Sequence, residues 1–307
     1  MRILFIVNPR AGLGRAEKQI AEVVRQLVEK GRRIDVIHTK APLEAINIAK
    51  KSIDQGYEMV VAVGGDGTIN EVINGLANSE VTLGVLPTGT GNVFAKAVGI
   101  PVWAPFTSRP LHEASDILFT GYRYKLDLGR LMLADQSVRY FLMWCGVGLD
   151  AAVILSLSSK ATIQWGVLGW IKPIIQTVLR YSSIPMHIAI DGEELKIHDT
   201  LLTLVSNNQL YAKFWQVSPD ARMDDGYLDL ALFRGSNWVS FVRLLAKVTL
   251  GNHVGDPKVL LQSLSTIHIS SEIPVPVHVD AEIQGTTPVM ISVVPNALNV
   301  VIPSKRQ

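Results

Sequence analysis

Asp66 stands among glycines in "VVAVGGDGTINEVINGL" (residues 60–76), where an apolar run gives way to an amphipathic one. Two more glycine loops share this placing, "NPRAGLGR" after Val7 and "PTGTGN" after Leu86. Glycine lets a backbone approach a ligand closely and take positive φ without steric cost. The N–H groups that open the following helix, with its dipole, favour an anion such as phosphate. Taken singly, each loop reads equally well as a tight turn. Gly12-Leu13-Gly14 lacks the third glycine of a dinucleotide fingerprint, Glu17 standing in its place, and no loop has the Gly-Lys-Ser/Thr of a P-loop. Three such loops on one sheet rim favour a phosphate cradle. A carboxylate repels polyphosphate, so Asp66 asks for a cation between them, and Mg²⁺ commonly binds through one or two carboxylates plus substrate phosphates. The plainer alternative makes Asp66 a turn or cap residue that accepts from nearby backbone N–H groups.

The elements that must position these loops follow from hydrophobic spacing. Apolar runs at residues 3–7, 34–37, 59–63 and 83–86 read as short buried strands. Ile20, Val23, Val24 and Leu27 keep a helical period, as do Ile69, Val72, Ile73 and Leu76. Strands alternating with helices imply a parallel sheet covered on both faces, whose helix-feeding strand ends share one edge. From about Tyr122 the texture changes to many short strand-like runs, among them "MHIAIDGEELKIH", "LLTLVSNN", "YLDLALFRG" and "VMISVV". Asp191-Gly192 between two alternating runs is a two-residue hairpin signal. Helical stretches at 151–181 and 237–250 interrupt the series. The expected fold is an α/β N-terminal domain with a parallel sheet (residues 1–121) and a mainly antiparallel β-sandwich C-terminal domain (122–294). Residues 295–307 form a tail that is free to return to the first domain.

Composition narrows the classes. A chain of 307 residues has room for two cores. Apolar residues make up 48% and mean hydropathy is +0.26, yet no run approaches the ~20 apolar residues of a membrane-spanning helix. The opening "MRILFIVNPR" ends its apolar burst at Asn8-Pro9 and reads as a first strand rather than a signal peptide. Cys145, the only cysteine, excludes internal disulfides and any cysteine-built zinc site. A net charge of +2 without a basic, aromatic-interleaved run gives no reason to expect nucleic acid. A cytoplasmic protein fits best.

The loops also resemble a known family. Asn8-Pro9-Arg10-Ala11-Gly12, Gly64-Gly65-Asp66-Gly67-Thr68 and Pro87-Thr88-Gly89-Thr90-Gly91-Asn92 are similar to the three nucleotide loops of the diacylglycerol kinase catalytic family, which includes bacterial lipid kinases and sphingosine and ceramide kinases. "KLDLGRL", "FLMWCGVGLDAAV", "DARMDDGYLDLALF" and "HVDAEIQG" continue the likeness in order and spacing over nearly the whole chain. The resemblance implies phosphoryl transfer from ATP to a lipid hydroxyl, in a cleft between an α/β domain and a β-sandwich. By matching position, ATP would be contacted by Asn8, Pro9, Arg10, Ala11, Gly12, Thr39, Gly64, Gly65, Asp66, Gly67, Thr68, Ile69, Asn70 and Thr90. Asp66 would act in the magnesium–phosphate network, and Glu282 falls on the proposed general base. A structural Mg²⁺ site would use the Asp225 carboxylate with the carbonyls of Arg222 and Tyr227, and Asp127 matches an acidic position of the same cleft. Read without the family, Glu282 is a solvated turn glutamate. The chain departs from the pattern at Val93, where many bacterial diacylglycerol kinases have Asp, and at Ala281, which replaces the glycine of Asp-Gly-Glu. Leu13 stands where some relatives carry Lys, with Arg15 as the substitute charge. A methyl at 281 matters only if φ is positive.

A lipid acceptor needs a route to the bilayer. "SSKATIQWGVLGWIKPIIQTVLRY" offers Trp165, Trp170, Lys172, Arg180 and Tyr181 on a mostly apolar helical stretch, a composition suited to a membrane interface. Pro173 would kink that helix or start a second one. A core helix is the plain alternative, and the stretch around Trp238 poses the same choice. The expected protein is thus an ATP- and Mg²⁺-dependent lipid kinase of phospholipid biosynthesis, converting diacylglycerol to phosphatidic acid. It would be cytoplasmic and peripheral at the inner membrane face, with a homodimer left open. A sphingoid or ceramide kinase, an NAD kinase and a binding protein without turnover are the alternatives.

Overall fold

The computed structural model describes residues 1–14, 16–104, 107–157, 166–211 and 215–303. The chain forms two compact units, Met1–Leu128 with Asn296–Gln307, and Gly129–Pro295.

The first unit runs β1 (Arg2–Val7), α1 (Glu17–Glu29), β2 (Arg33–His38), α2 (Glu44–Asp54), β3 (Met59–Gly64), α3 (Asp66–Leu76), β4 (Thr82–Pro87), α4 (Val93–Ala97) and α5 (Arg109–Thr120). The strands pair in parallel in the order β2-β1-β3-β4, with Val7 level with His38 and Val63, and Val63 level with Leu86. β1, β3 and β4 are apolar on both faces and buried, as strands between two helical layers must be. β2 departs from the expected buried strand: it lies at the sheet edge, and Val36 and Ile37 are exposed. Spacing alone does not reveal α2, because its buried face is Ala45, Ala49 and Ser52, too small to stand out as an apolar stripe.

β5 (Tyr122–Leu133) carries the chain from the first unit into the second. There follow β6 (Val138–Phe141), β7 (Trp144–Gly148), α6 (Leu149–Leu157), α7 (Gly166–Arg180), β8 (Ile184–Ile190) and β9 (Glu193–Ser206). Next come β10 (Leu210–Tyr211), β11 (Trp215–Gln216), β12 (Leu228–Arg234), α8 (Trp238–Thr249), β13 (Val259–Leu264), β14 (Thr266–Ser270), β15 (Pro276–Val279) and β16 (Glu282–Thr286). β9 joins two runs that read separately in the sequence. Its first half pairs with β8, and its second half lies between β7 and β12, so it serves both layers of an antiparallel sandwich. Met186, Ile188, Ile267 and Ile291 from one layer meet Cys145, Val205, Leu230 and Val277 from the other in the core. The α7 helix continues through Pro173. Asn237 caps α8, its side-chain oxygen accepting from the Ser240 amide at 3.2 Å. β17 (Val289–Ile302) pairs with β14 in the second unit and, at Val300, runs parallel to Leu83 of β4 in the first.

Candidate active site

In the first unit the three glycine loops leave the C-terminal ends of adjacent parallel strands and pack against one another. The Asn8 amide donates to Val63 O (2.9 Å), and the amides of Thr88 and Gly89 both donate to Gly64 O (2.8 and 3.2 Å). The backbones of Gly65 and Gly89 approach so closely that a Cβ on Gly89 would lie 2.4 Å from Gly65 Cα. A Cβ on Gly12, whose φ is +58°, would lie 2.3 Å from Thr88 O. Glycine is required at these places by the contact of loop with loop.

Side chains then lock the loops. Asn8 donates from Nδ2 to Thr68 Oγ1 (3.0 Å) and accepts the Arg10 amide on Oδ1 (3.0 Å), an Asx turn that leaves Pro9 and Arg10 exposed beside half-buried Ala11. α3 opens at Asp66 after Gly65, with no side-chain cap on its first turn, the kind of helix end that suits an anion. Asp66 accepts the Phe94 amide on Oδ1 at 3.2 Å, which ties α3 to the start of α4. Within α3, half-buried Gly67 is followed by buried Thr68, Ile69 and Asn70. The Thr39 amide donates to Val7 O, while Thr90 is exposed at the third loop's tip. Val93 is the first residue of α4. Asp127 is buried and accepts the Asn296 amide at 2.7 Å. Arg15 and the side chain of Leu13 lie outside the described residues. Asn92, in the sequence only the last residue of the third loop, has a structural part there: it is buried at φ 53° and bonds Gly89 through both its oxygen and its nitrogen. The left-handed tolerance of Asn after a glycine run was the available signal.

The second unit holds the remaining candidates. Glu282 is the first residue of β16, and its carboxylate pairs with Arg139 Nη2 at 3.0 Å. It is therefore half-buried and held, where the residues alone suggested a solvated turn. The turn before it has positive φ at Asp280 (45°) and Ala281 (69°), the condition under which a methyl at 281 matters. Asp225 accepts the Tyr227 amide at 3.0 Å on an exposed turn, while the Arg222 side chain pairs with Asp224. A carboxylate with backbone oxygens is an all-oxygen donor set, which fits a hard cation such as Mg²⁺. Among the described residues no three or more His, Cys, Asp or Glu side chains cluster to hold a metal by themselves. A cation would thus take its other ligands from phosphate, water or backbone.

The second unit also holds a partly open cavity of about 280 Å³ that composition gave no means of locating. α6, α7, α8, β9 and β12 wall it with Val153, Ile174, Leu204, Phe233, Phe241 and Leu244. Asp150 and Tyr211 interrupt this apolar lining, the Tyr211 hydroxyl donating to Asp150 Oδ1. Burial first, then the Asp150 charge, push the Tyr211 hydroxyl well above the usual phenol range, so it remains a donor. Cys145 is buried in the core nearby in sequence, and burial likewise pushes its thiol up, leaving it unreactive. On α7, Trp170 is 46% exposed, with Ile171, Ile175 and Leu179 also exposed. Tyr181 does not belong to that face: its hydroxyl is buried and burial pushes it up to about 12. Trp165 lies outside the described residues.

Comparison with known proteins gives the class. Residues 2–131 match the diacylglycerol kinase catalytic domain, and residues 144–302 match the YegS C-terminal NAD kinase beta sandwich-like domain. Related proteins include a diacylglycerol kinase of Staphylococcus carnosus (strain TM300), 28% identical over 94% of this chain and 90% of that protein. Another is a diacylglycerol kinase of Bacillus subtilis (strain 168), 26% identical over 99% and 97%. A solved structure of a candidate diacylglycerol kinase from Bacillus anthracis str. Sterne superposes with a TM-score of 0.78 at 25% identity, covering 98% of this chain and 96% of that one. The protein is an enzyme of the lipid-kinase class. The chain belongs to the diacylglycerol kinase catalytic-domain family.

Proposed function

We propose that the protein transfers the γ-phosphate of ATP, with Mg²⁺, to the hydroxyl of diacylglycerol, giving phosphatidic acid. The observation that carries the choice of a lipid acceptor is the apolar cavity of the second unit, with a polar corner at Asp150 and Tyr211. An acyl chain gains about 0.8 kcal/mol per buried CH₂ in such a space, whereas a soluble dinucleotide gains nothing there. That corner suits an ester oxygen of the same molecule. A sphingoid base or ceramide has the same two-part chemistry and is the second reading.

In the first unit the loop amides and the N-terminus of α3 bind the nucleotide phosphates, and Asn8, Thr68 and Asn92 keep the loops in register. Asp66 would hold magnesium together with phosphate oxygens, Asp225 with the Arg222 and Tyr227 carbonyls would hold it at a structural site, and the ion would supply charge neutralisation. Phosphoryl transfer asks chiefly for such positioning and neutralisation. In the second unit Glu282 takes the proton that the acceptor hydroxyl loses as it attacks. Arg139 keeps that carboxylate in one orientation.

Among the described residues no helix is long and apolar enough to cross a membrane. The protein meets its acceptor at a bilayer surface, through the exposed residues of α7 and of Trp238, Val239 and Val242 on α8, with Lys172, Arg180 and Arg243 beside them.

Labelled ATP offered with diacylglycerol, sphingosine, ceramide or NAD in mixed anionic micelles should label diacylglycerol above the others. Label appearing in NAD alone would end the lipid-kinase reading. Changing Trp170 and Trp238 together to Ala should weaken sedimentation with anionic vesicles at an unaltered melting temperature. Unchanged sedimentation removes α7 and α8 from the interface.

A further inference from the structure

His278, Asp150 and Tyr211 come from three separate elements, β15, the start of α6 and β10, and meet inside the second unit. His278 is fully buried, and its Nε2 lies 2.6 Å from Asp150 Oδ2. The Tyr211 hydroxyl donates to the other oxygen of that carboxylate. On the far side of the ring, Nδ1 accepts the Ala281 amide at 3.3 Å. A ring nitrogen that accepts carries no proton, so the proton sits on Nε2 and points at Asp150. The bonding pattern therefore selects one tautomer. One end of this chain is the amide of the residue before Glu282, and the other is the polar corner of the apolar cavity.

Gly146 makes the arrangement fit. It sits directly opposite His278 on the neighbouring strand β7. A Cβ at Gly146 would lie 2.2 Å from His278 Nε2 and 2.4 Å from Asp150 Oδ2. Only a bare backbone lets the imidazole lie across β7 to reach α6. Burying an imidazole and a carboxylate costs stability unless both are bonded, and apolar residues of similar volume would pack there at least as favourably. Packing alone gives no reason for a polar trio at this place.

We propose that His278 is a positioning residue for Glu282, and that Asp150 and Tyr211 tie its ring to the cavity wall. One hydrogen-bonded chain then holds both the place of the acceptor in the cavity and the set of the turn that carries Glu282. The role of the acceptor rests on the lipid-kinase reading; the chain itself does not. Tyr211→Phe deletes only the donor to Asp150, and His278→Gln keeps a side-chain amide in the imidazole's place. In the full-length protein each should lower kcat for diacylglycerol phosphorylation by about tenfold, as a small misplacement of a reacting group does. KM for ATP should stay within about twofold, because the nucleotide loops are untouched. Hydrogen exchange at residues 280–283 should quicken in both variants.

Wild-type kcat in both variants overturns the proposal, and so does lost activity with unchanged exchange in that turn. If His278→Gln fails to fold, Tyr211→Phe carries the test alone. If the wild-type protein phosphorylates no lipid, the lipid-kinase reading falls. Exchange in Tyr211→Phe then still decides the chain, since quickened exchange at 280–283 supports it and unchanged exchange overturns it.

Discussion

Two hairpins of the second unit turn through the same geometry for different ends. Asp191-Gly192 joins β8 to β9, and Asp280-Ala281 joins β15 to β16. Both central residues of each turn have positive φ, 47° and 94° in the first, 45° and 69° in the second, the pattern of a two-residue type I′ turn. In both, the aspartate reaches sideways to backbone amides of another segment. Asp191 accepts from Ser265 and Thr266, and Asp280 from Leu142, Met143 and Trp144. The surroundings differ. The Asp191 turn is exposed, and nothing lies within 4 Å of a Cβ placed on Gly192. The Asp280 turn is buried at its aspartate, has an alanine in left-handed conformation, and is flanked by His278 before it and the Arg139–Glu282 pair after it. A chain reversal alone needs only the first kind of turn. Backbone strain persists where the surroundings over-determine it, and the second turn spends that strain on fixing one carboxylate.

The sharpest way to break this comparison is to remove the two aspartates. Asp280→Ala leaves three buried N–H groups without their acceptor, each costing about 1–3 kcal/mol. Urea denaturation should therefore register a loss of at least ~3 kcal/mol. Asp191→Ala should lose far less, because water replaces the carboxylate at an exposed turn. Equal losses would make the two hairpins energetically alike. Next in size is Gly146→Ala. Overpacking of a filled core costs about 1–3 kcal/mol, and here it would push the His278–Asp150 pair apart, so kcat should fall along with stability. Gly192→Ala should cost about 1 kcal/mol for its left-handed backbone and leave kcat alone. Loss of activity in Gly192→Ala would mean that general softness of the sandwich, not the Glu282 turn, limits turnover.

The two turns also mark what the sequence discloses. Asp191-Gly192 is legible because its signal is local, a turn dipeptide between alternating runs, and the helix–strand alternation of the first unit is legible for the same reason. β2 was misjudged as buried because edge position depends on the order of strands, which no run of apolar residues encodes. Of the candidate site, the glycine loops could be read as a set because strand–loop–helix order puts them on one rim. Their mutual packing, such as Gly65 against Gly89, joins residues distant in sequence. Asp150, Tyr211 and His278 were illegible for that reason too: 128 residues separate the histidine from its carboxylate. Glu282 looked like a turn residue because nothing near it in sequence announces Arg139, 143 residues away.

The finest test bears on the alanine itself. A left-handed non-glycine residue costs about 1–2 kcal/mol, while a glycine there gives back about 0.4–1 kcal/mol through the freer unfolded chain. Ala281→Gly should therefore stabilise the protein by roughly 0.5–1 kcal/mol, a rise in melting temperature of about 1–4 °C for a unit of this size. The sign is opposite to that expected for Gly192→Ala, although the two positions share a turn type. The Ala281 amide, which glycine retains, still donates to His278, so the turn should keep its set and kcat should change by less than about twofold. A destabilised Ala281→Gly would mean that the methyl makes a packing contact worth more than the strain, and the reason for alanine at this place would then be cohesion of the sandwich instead of tolerance by the bonds that hold the turn.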